Sequence, residues 1–142
     1  MNIVQFIPDH AEYIIQHGQN KGAPNRAHVV GKISHQGFAW TGLKNGFPVG
    51  SAGIIPMWDG TAEAWVLASE RVHENPFRFA KTVKSIFNEL VIEHGLHRIQ
   101  AAVRADWPEA QRFAEFMGVE NEGLMRKFGQ DKTDYIRYAR VL

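Results

Sequence analysis

The sequence predicts an α+β domain with a mixed, mostly antiparallel twisted sheet flanked by helices. Two β-type runs, Phe38–Lys44 and Phe47–Ile55, are separated by Asn45-Gly46, the dipeptide most typical of a two-residue hairpin turn. From Pro76 the apolar period changes from strand-like to helical. A further apolar run, Arg98–Val103, follows this helix, and a strand, a helix and a strand in that order favour one parallel, right-handed crossover.

Length and composition favour one domain over residues 1–142. The 142 residues are 44% apolar and 22% charged, which is enough to bury one core. A net charge of +1 is no direct nucleic-acid signal, because phosphate backbones need clustered basic residues. The absence of cysteine excludes disulfides, thiolate metal sites and a cysteine nucleophile. The first residues resemble neither a signal peptide nor a membrane span, so we expect a cytoplasmic protein without a membrane partner.

The N-terminal elements follow from short local signals. Asn2–Ile7 is apolar-rich and predicts the first strand. Pro8-Asp9 then opens a helix in which Ile14 and Ile15 would face the core, and Gly18 would end it.

The middle of the chain predicts a meander of strands. Residues 18–37 begin as a loop, and Arg26–Ser34 fits either a short helix or a short strand. After the hairpin, Asp59-Gly60 marks a second turn. Thr61–Ala68 is then the third strand of the meander, and its apolar WVLA end suits a central position.

A long amphipathic helix is predicted after this meander. Pro76 suits its first turn and Gly95 its C-terminal end. Six apolar residues at helical spacing would form its buried face: Phe79, Val83, Ile86, Phe87, Leu90 and Val91.

The C-terminal region predicts one more helix and two closing strands. Asp106 is placed as an N-cap, with Pro108 early in the helix and Glu109 positioned as in a capping box. Its inner face and end would be formed by Phe113, Phe116, Met117 and Gly118. The closing strands would be Gly123–Phe128 and Asp134–Val141, with a turn at Gly129–Lys132.

The element order and two C-terminal segments resemble a known family. WPEAQRFAEFMGVENEG, at 107–123, is similar to a segment in which a helix ends in Gly-Phe and the next strand begins with Glu-Gly. GLHRIQAAV, just before it, is similar to the preceding helix end and strand. On these residues the chain resembles the GNAT N-acetyltransferases. The resemblance implies acetyl-coenzyme A as acetyl donor and direct attack on its thioester by an amine acceptor of unidentified class.

The chain also resembles degenerate acetyltransferase-like proteins of podophages. The likeness lies in GFP at 46–48, in WVLASERV at 65–72, and in RF and MG at 112–113 and 117–118. It implies an alternative function: a non-catalytic phage structural or host-interaction protein of the same fold. Its partner would be a phage or host protein, and it would be associated with the virion.

The resemblance places the coenzyme A contacts around the start of the long helix. The family's loop, Gln/Arg-x-x-Gly-x-Gly/Ala, falls on Asn75-x-x-Arg78-x-Ala80, and only its last position is retained. Glycine lets backbone N–H groups approach phosphate, whereas Arg78 would supply a guanidinium fork and Pro76 removes one N–H. The expected cofactor-binding residues are Leu67, Ala68, Arg71, Asn75, Phe77, Arg78, Phe79, Ala80 and Trp107.

The resemblance also suggests catalytic residues, and no metal is expected. Glu63 lies on the strand that carries the general base in many members, and Ser69 at the strand end is a second candidate. Where many members have a proton-donating tyrosine, this chain has Ala114, so water or another group such as Tyr138 would protonate the leaving thiolate.

Each of these residues also has an interpretation without a ligand. Arg71 and Arg78 can be solvated charges near a helix start, Glu63 a surface strand residue, and Trp107 a core or rim aromatic.

Overall fold

Seven strands and three α-helices make up the part of the chain that the structure describes, residues 1–18 and 38–142 of a computed structural model. The strands are β1 Asn2–Gln5, β2 Ala39–Lys44, β3 Phe47–Trp58, β4 Thr61–Ala68, β5 Arg98–Arg104, β6 Glu120–Met125 and β7 Tyr135–Val141. The helices are α1 Pro8–Gln16, α2 Pro76–Glu93 and α3 Pro108–Phe116, and a 3₁₀ helix spans Glu70–Glu74. The ambiguous segment Arg26–Ser34 lies outside the described residues.

The strands form one mixed sheet in the order β1-β2-β3-β4-β5-β7-β6. β4 and β5 are parallel, with a register that runs from Thr61↔Arg98 to Glu63↔Gln100. The pairs β1–β2, β2–β3, β5–β7 and β6–β7 are antiparallel. The predicted mixed sheet, with one parallel pair joined through a helix, is therefore confirmed.

The described residues group into two compact units. One comprises Met1–Ile55 and Trp65–Phe79, and the other Pro56–Ala64 and Ala80–Leu142. The first unit has a core of Phe6, Ala11, Ile14, Ala39, Trp65 and Leu67. Buried residues of the second unit include Val83, Leu90, Ile99, Ala102, Tyr138 and Ala139. The single domain expected from the chain length stays a prediction.

Two turns required by the sequence pattern are present. Asn45 and Gly46 both have positive φ, 53° and 81°, as a two-residue hairpin between right-twisted strands demands. Gly60 has φ +84°, and a Cβ built on it would lie 2.2 Å from the His97 Nδ1 atom. Glycine is therefore needed at position 60 for its backbone angle and for space.

Helix α2 agrees with its predicted pattern. Gly95 follows the helix with φ 58°. Of the predicted inner face, Phe79, Val83, Phe87 and Leu90 are buried, and Ile86 and Val91 are half-buried.

The region around α3 and β6 differs from the prediction. The N-cap of α3 is Trp107, not Asp106, and it makes no side-chain capping bond. The Asp106 carboxylate instead accepts hydrogen bonds from the Arg104 guanidinium at 3.0 and 3.1 Å, which satisfies a buried cation rather than a helix end. Phe116 was predicted to face inward but is 37% exposed, with the Lys84 Nζ atom 5.0 Å from its ring centre. β6 begins at Glu120, three residues before the predicted start.

Candidate functional site

The turn that follows β4 is organised by Ser69. Its side chain is buried, and its Oγ atom lies 2.8 and 3.0 Å from the carbonyl oxygens of Pro48 and Val49, to which it donates. The same oxygen accepts a hydrogen bond from the Arg71 backbone N–H at 3.3 Å. The hydroxyl proposed as a catalytic candidate thus caps the 3₁₀ helix that leads to α2.

The first turn of α2 offers few backbone donors to a ligand. Pro76 has no N–H, and the Arg78 N–H donates to the Asn75 Oδ1 atom at 3.1 Å. In a glycine-rich loop such groups would point at phosphate. Any anion bound at this turn must therefore rely more on side chains.

A small open pocket lies beside this turn. Its volume is about 90 Å³, and the residues around it include Lys44, Arg71, Glu74, Asn75, Arg78 and Phe79. Three of these side chains are cationic and one is anionic. The Lys44 Nζ atom is 2.7 Å from Glu74 Oε2, and both side chains are about half exposed. The pocket is consequently electropositive, with its carboxylate already paired.

Arg71 is held in one orientation by aromatic residues. Its Nε donates to the Tyr13 hydroxyl oxygen at 3.3 Å, and its Cζ atom lies 4.7 Å from the Phe47 ring centre. The hydrogen bond to Tyr13 is the largest of the effects that raise the pKa of Arg71, and the nearby Glu74 adds to it. Among residues 1–18 and 38–142 this is the hydrogen bond that the guanidinium group makes, and it is made by Nε.

The candidate base Glu63 is part of an ion pair with Arg137. The Arg137 Nη1 atom lies 2.9 and 3.0 Å from its two carboxylate oxygens, and both side chains are partly buried. Glu63 is opposite Gln100 of β5, and Arg137 is opposite Ala102, so the two side chains share one face of the sheet. The carboxylate is therefore oriented, but an amine would have to share it with Arg137.

The candidate acid Tyr138 projects from the opposite face. It neighbours Arg137 along β7, and successive side chains of a strand alternate between faces. The side chain is 2% exposed, and its burial, with a smaller effect of the Glu115 carboxylate, raises the pKa of its phenol. Tyr138 therefore stays protonated at neutral pH, but it is not on the face that carries Glu63.

The remaining predicted contacts differ in exposure. Leu67 and Phe79 are buried, Ala68, Ala80 and Trp107 are half-buried, and Phe77 is 64% exposed. Those from Leu67 to Phe79 belong to the first unit, and Ala80 and Trp107 to the second.

Several residues of the pocket region, Glu74 among them, were not predicted from the sequence. Lys44 lines the pocket, and Tyr13 and Phe47 hold Arg71. Lys44 and Phe47 flank the Asn-Gly turn, so the predicted hairpin already placed both residues at the same end of its two strands. No sequence signal connects Tyr13 with Arg71, which are 58 residues apart.

The described residues contain neither a metal-binding cluster nor a membrane-crossing helix. Across 1–18 and 38–142 there is no group of three or more His, Cys, Asp or Glu side chains placed to hold a metal ion. No helix in those ranges combines the length and apolar character needed to cross a membrane.

The fold matches solved acetyltransferase structures along the whole chain. Ard1 from Thermoplasma volcanium superimposes with a TM-score of 0.83 at 16% identity, over 99% of this chain and 97% of that one. Ribosomal-protein-alanine N-acetyltransferase from Brucella melitensis gives 0.70 at 15% identity over 100% of both chains. A GNAT-family acetyltransferase from Bacillus anthracis gives 0.72 at 17% identity, over 98% and 93%. Protein-family models and curated proteins gave no match.

The chain therefore has the GNAT acetyltransferase fold, as the resemblance implied. At this level of identity the likeness concerns the fold, and function depends on the site. The podophage likeness stays a prediction.

Proposed function

We propose that this chain is an acetyl-coenzyme A-dependent N-acetyltransferase. The observation that carries the proposal is the electropositive pocket at the start of α2 in a chain with the GNAT fold. Guanidinium and ammonium groups bind phosphate oxygens through charge-assisted hydrogen bonds, and Arg forms bidentate ones. Lys44, Arg71 and Arg78 are thus the groups that would hold a phosphate of the coenzyme in a chain without the glycine-rich backbone cradle.

The proposed reaction is a direct transfer without a covalent enzyme intermediate. The lone pair of an uncharged amine attacks the thioester carbonyl carbon, the C–S bond breaks, and the acetyl group remains on the nitrogen. The nitrogen loses one proton to Glu63 or to water, and the coenzyme A thiolate gains one. In this scheme Arg137 orients the Glu63 carboxylate, and water protonates the thiolate, because the buried Tyr138 lies on the face of the sheet opposite Glu63.

Calorimetric titration with acetyl-coenzyme A and with free coenzyme A tests the binding step. We expect a dissociation constant in the micromolar range, about −8 kcal/mol. Arg78→Glu should abolish binding because it puts a carboxylate where phosphate sits, whereas Arg112→Glu, at an exposed position on α3, should not. Unchanged affinity in Arg78→Glu would show that this turn is not the coenzyme site. No heat at several temperatures, with no thermal shift at millimolar ligand, would contradict the enzyme.

An amine screen tests the chemical step. Acetyl transfer is followed by the release of free thiol, with small amines, lysine peptides and peptide N-termini as acceptors. If Glu63 is the base, Glu63→Gln lowers kcat by about 10²–10⁴-fold and leaves coenzyme A affinity unchanged. Equal kcat in Glu63→Gln and the parent chain would remove Glu63 from the mechanism.

A second candidate function is a non-catalytic phage structural or host-interaction protein. It is favoured by the first turn of α2, where Pro76 lacks an N–H and Asn75 occupies the Arg78 N–H. This reading expects no coenzyme A binding by the intact chain. A micromolar dissociation constant for acetyl-coenzyme A or for free coenzyme A would argue against it.

A further inference from the structure

The size of the pocket beside α2 restricts what it can hold. At about 90 Å³ it is well below the roughly 300–1,000 Å³ of sites that enclose a drug-sized ligand. It is therefore suited to one compact group at the end of a larger molecule.

The charge of the pocket restricts that group further. The lining side chains carry three formal positive charges, on Lys44, Arg71 and Arg78, and one negative charge, on Glu74. The Lys44–Glu74 pair is exposed and hence weak, so Lys44 can turn to a ligand at little cost. A phosphate monoester has a second pKa of about 6 and is nearly dianionic at neutral pH. Its charge matches the pocket.

The donors of the pocket also suit a terminal phosphate. A pyrophosphate at a helix N-terminus uses successive backbone N–H groups, and Pro76 and the Asn75 cap remove two of them here. Arg71 lines the pocket with a guanidinium that Tyr13 and Phe47 already orient through its Nε and its face. A guanidinium that is held in place loses less conformational entropy when it binds.

From these observations we infer that the pocket is a phosphate-monoester site and that it selects the 3′-phosphate of coenzyme A rather than its pyrophosphate. The inference rests on the proposed function for the identity of the ligand. Tyr13 and Phe47 are then positioning residues that act through Arg71.

The test is calorimetric titration of the full chain with coenzyme A, dephospho-coenzyme A, adenosine 3′,5′-bisphosphate, ADP and inorganic phosphate. We expect coenzyme A to bind at least tenfold more tightly than dephospho-coenzyme A, and the bisphosphate at least tenfold more tightly than ADP or inorganic phosphate. The preference should grow as the pH rises from about 5.5 to 7.5, where the monoester loses its second proton.

Variants separate recognition from folding. Arg71→Lys and Lys44→Gln should each lower the affinity for coenzyme A to that for dephospho-coenzyme A. The affinity for dephospho-coenzyme A itself should not change. Tyr13→Phe should reduce the preference in part. A misfolded variant would lose both ligands together, so a selective loss cannot come from structure alone. Arg126→Gln, which removes an exposed arginine of the other unit, should keep the full preference.

The outcomes distinguish this inference from the proposed function. Bisphosphate binding that is selective but accompanied by no acetyl transfer would support the phosphate site and argue against the enzyme. Acetyl transfer at the same kcat/KM from acetyl-coenzyme A and its dephospho form would support the enzyme and overturn the phosphate site. If inorganic phosphate bound as tightly as the bisphosphate, the pocket would not recognise the nucleotide. If none of the probes bound, both the phosphate site and the proposed function would be overturned.

Discussion

Two arginines follow the two strands of the parallel pair, and the protein holds them in opposite ways. Arg104 ends β5, is 7% exposed, and donates to Asp106, Asp131 and Thr133. Arg71 follows β4 and donates from its guanidinium to Tyr13 alone among the residues that the structure describes. The difference separates an arginine that holds the structure together from one that we propose binds a ligand. An arginine whose donors are filled by carboxylates and a hydroxyl joins segments of the chain, whereas Arg71 is held by its Nε and by the face of its guanidinium.

The largest effect on stability should come from Arg104→Met. The buried guanidinium makes several charge-assisted hydrogen bonds that methionine cannot replace. We expect the free energy of unfolding, measured in urea, to fall by about 2–4 kcal/mol. Arg126→Met, at an exposed position, is the matched control and should change it by about 0.5 kcal/mol or less. If the two variants were equally stable, the hydrogen bonds of Arg104 would not be what stabilises this region.

Gly50→Ala should have the next largest effect, in the region that carries Arg71. A Cβ at position 50 would lie 2.4 Å from the Phe79 ring and 2.8 Å from the Leu67 carbonyl oxygen, both near the start of α2 and the end of β4. Overpacking of this kind costs about 1–3 kcal/mol.

Gly42→Ala is the control for Gly50→Ala. The atoms within 3 Å of its added Cβ belong to the flexible Met1 side chain, which can move away. Thermal unfolding should therefore place Gly42→Ala close to the parent chain and Gly50→Ala well below it. Equal melting temperatures would mean that the packing beneath the pocket is loose.

Arg71→Met should change stability little and binding strongly. Its half-buried guanidinium makes one hydrogen bond within the described part of the chain, to a neutral hydroxyl, so we expect a change in unfolding free energy of about 0.5–1 kcal/mol. Coenzyme A affinity should fall at least tenfold, because the guanidinium fork is lost. Urea unfolding and calorimetry on the same preparation measure both quantities. A loss of stability similar to that of Arg104→Met would make Arg71 a structural residue too.

The two regions should also respond to acid in different pH windows. His10 Nδ1 accepts from the Ile7 N–H at 3.2 Å and lies 2.8 Å from Thr41 Oγ1, at the start of the helix that carries Tyr13. Burial lowers the pKa of His10 from 6.5, against a smaller opposite effect of Asp9. Its neutral form is therefore favoured by folding, and the stability it contributes is complete above pH 6.5 and is lost as the pH falls through its lower folded-state pKa.

Asp131 titrates in a more acidic window. Hydrogen bonds from Thr133 and Arg104 lower the pKa of Asp131 from 3.8 to about 2. Its contribution is complete above pH 3.8 and is lost as the pH falls towards 2. His10→Asn, which keeps an acceptor near the Nδ1 position, should flatten the first window of the stability profile, and Asp131→Asn only the second. If the His10→Asn variant still lost stability as the pH fell below 6.5, His10 would be excluded as the cause of that loss.

The elements that the sequence predicted correctly have local causes. The hairpin at Asn45-Gly46 depends on two residues that tolerate positive φ, and α2 depends on apolar spacing bounded by Pro76 and Gly95. The N-cap at Asp106 was wrong because a buried guanidinium two residues earlier competes for the same carboxylate. The early start of β6 was missed because its residues are nearly all exposed, so alternation gave no signal.

The sequence by itself determined the order of the elements and the absence of a glycine-rich loop before α2. Both depend on neighbours along the chain: turn dihedrals, apolar periodicity, and the missing N–H of a proline. Only the tertiary structure decided which charges meet. Tyr13 and Arg71 are 58 residues apart, and Glu63 and Arg137 are 74 apart. Strand order and register place Glu63 and Arg137 on one face of the sheet, whereas Tyr13 and Arg71 meet because α1 lies beside the 3₁₀ helix. No local pattern encodes either pair.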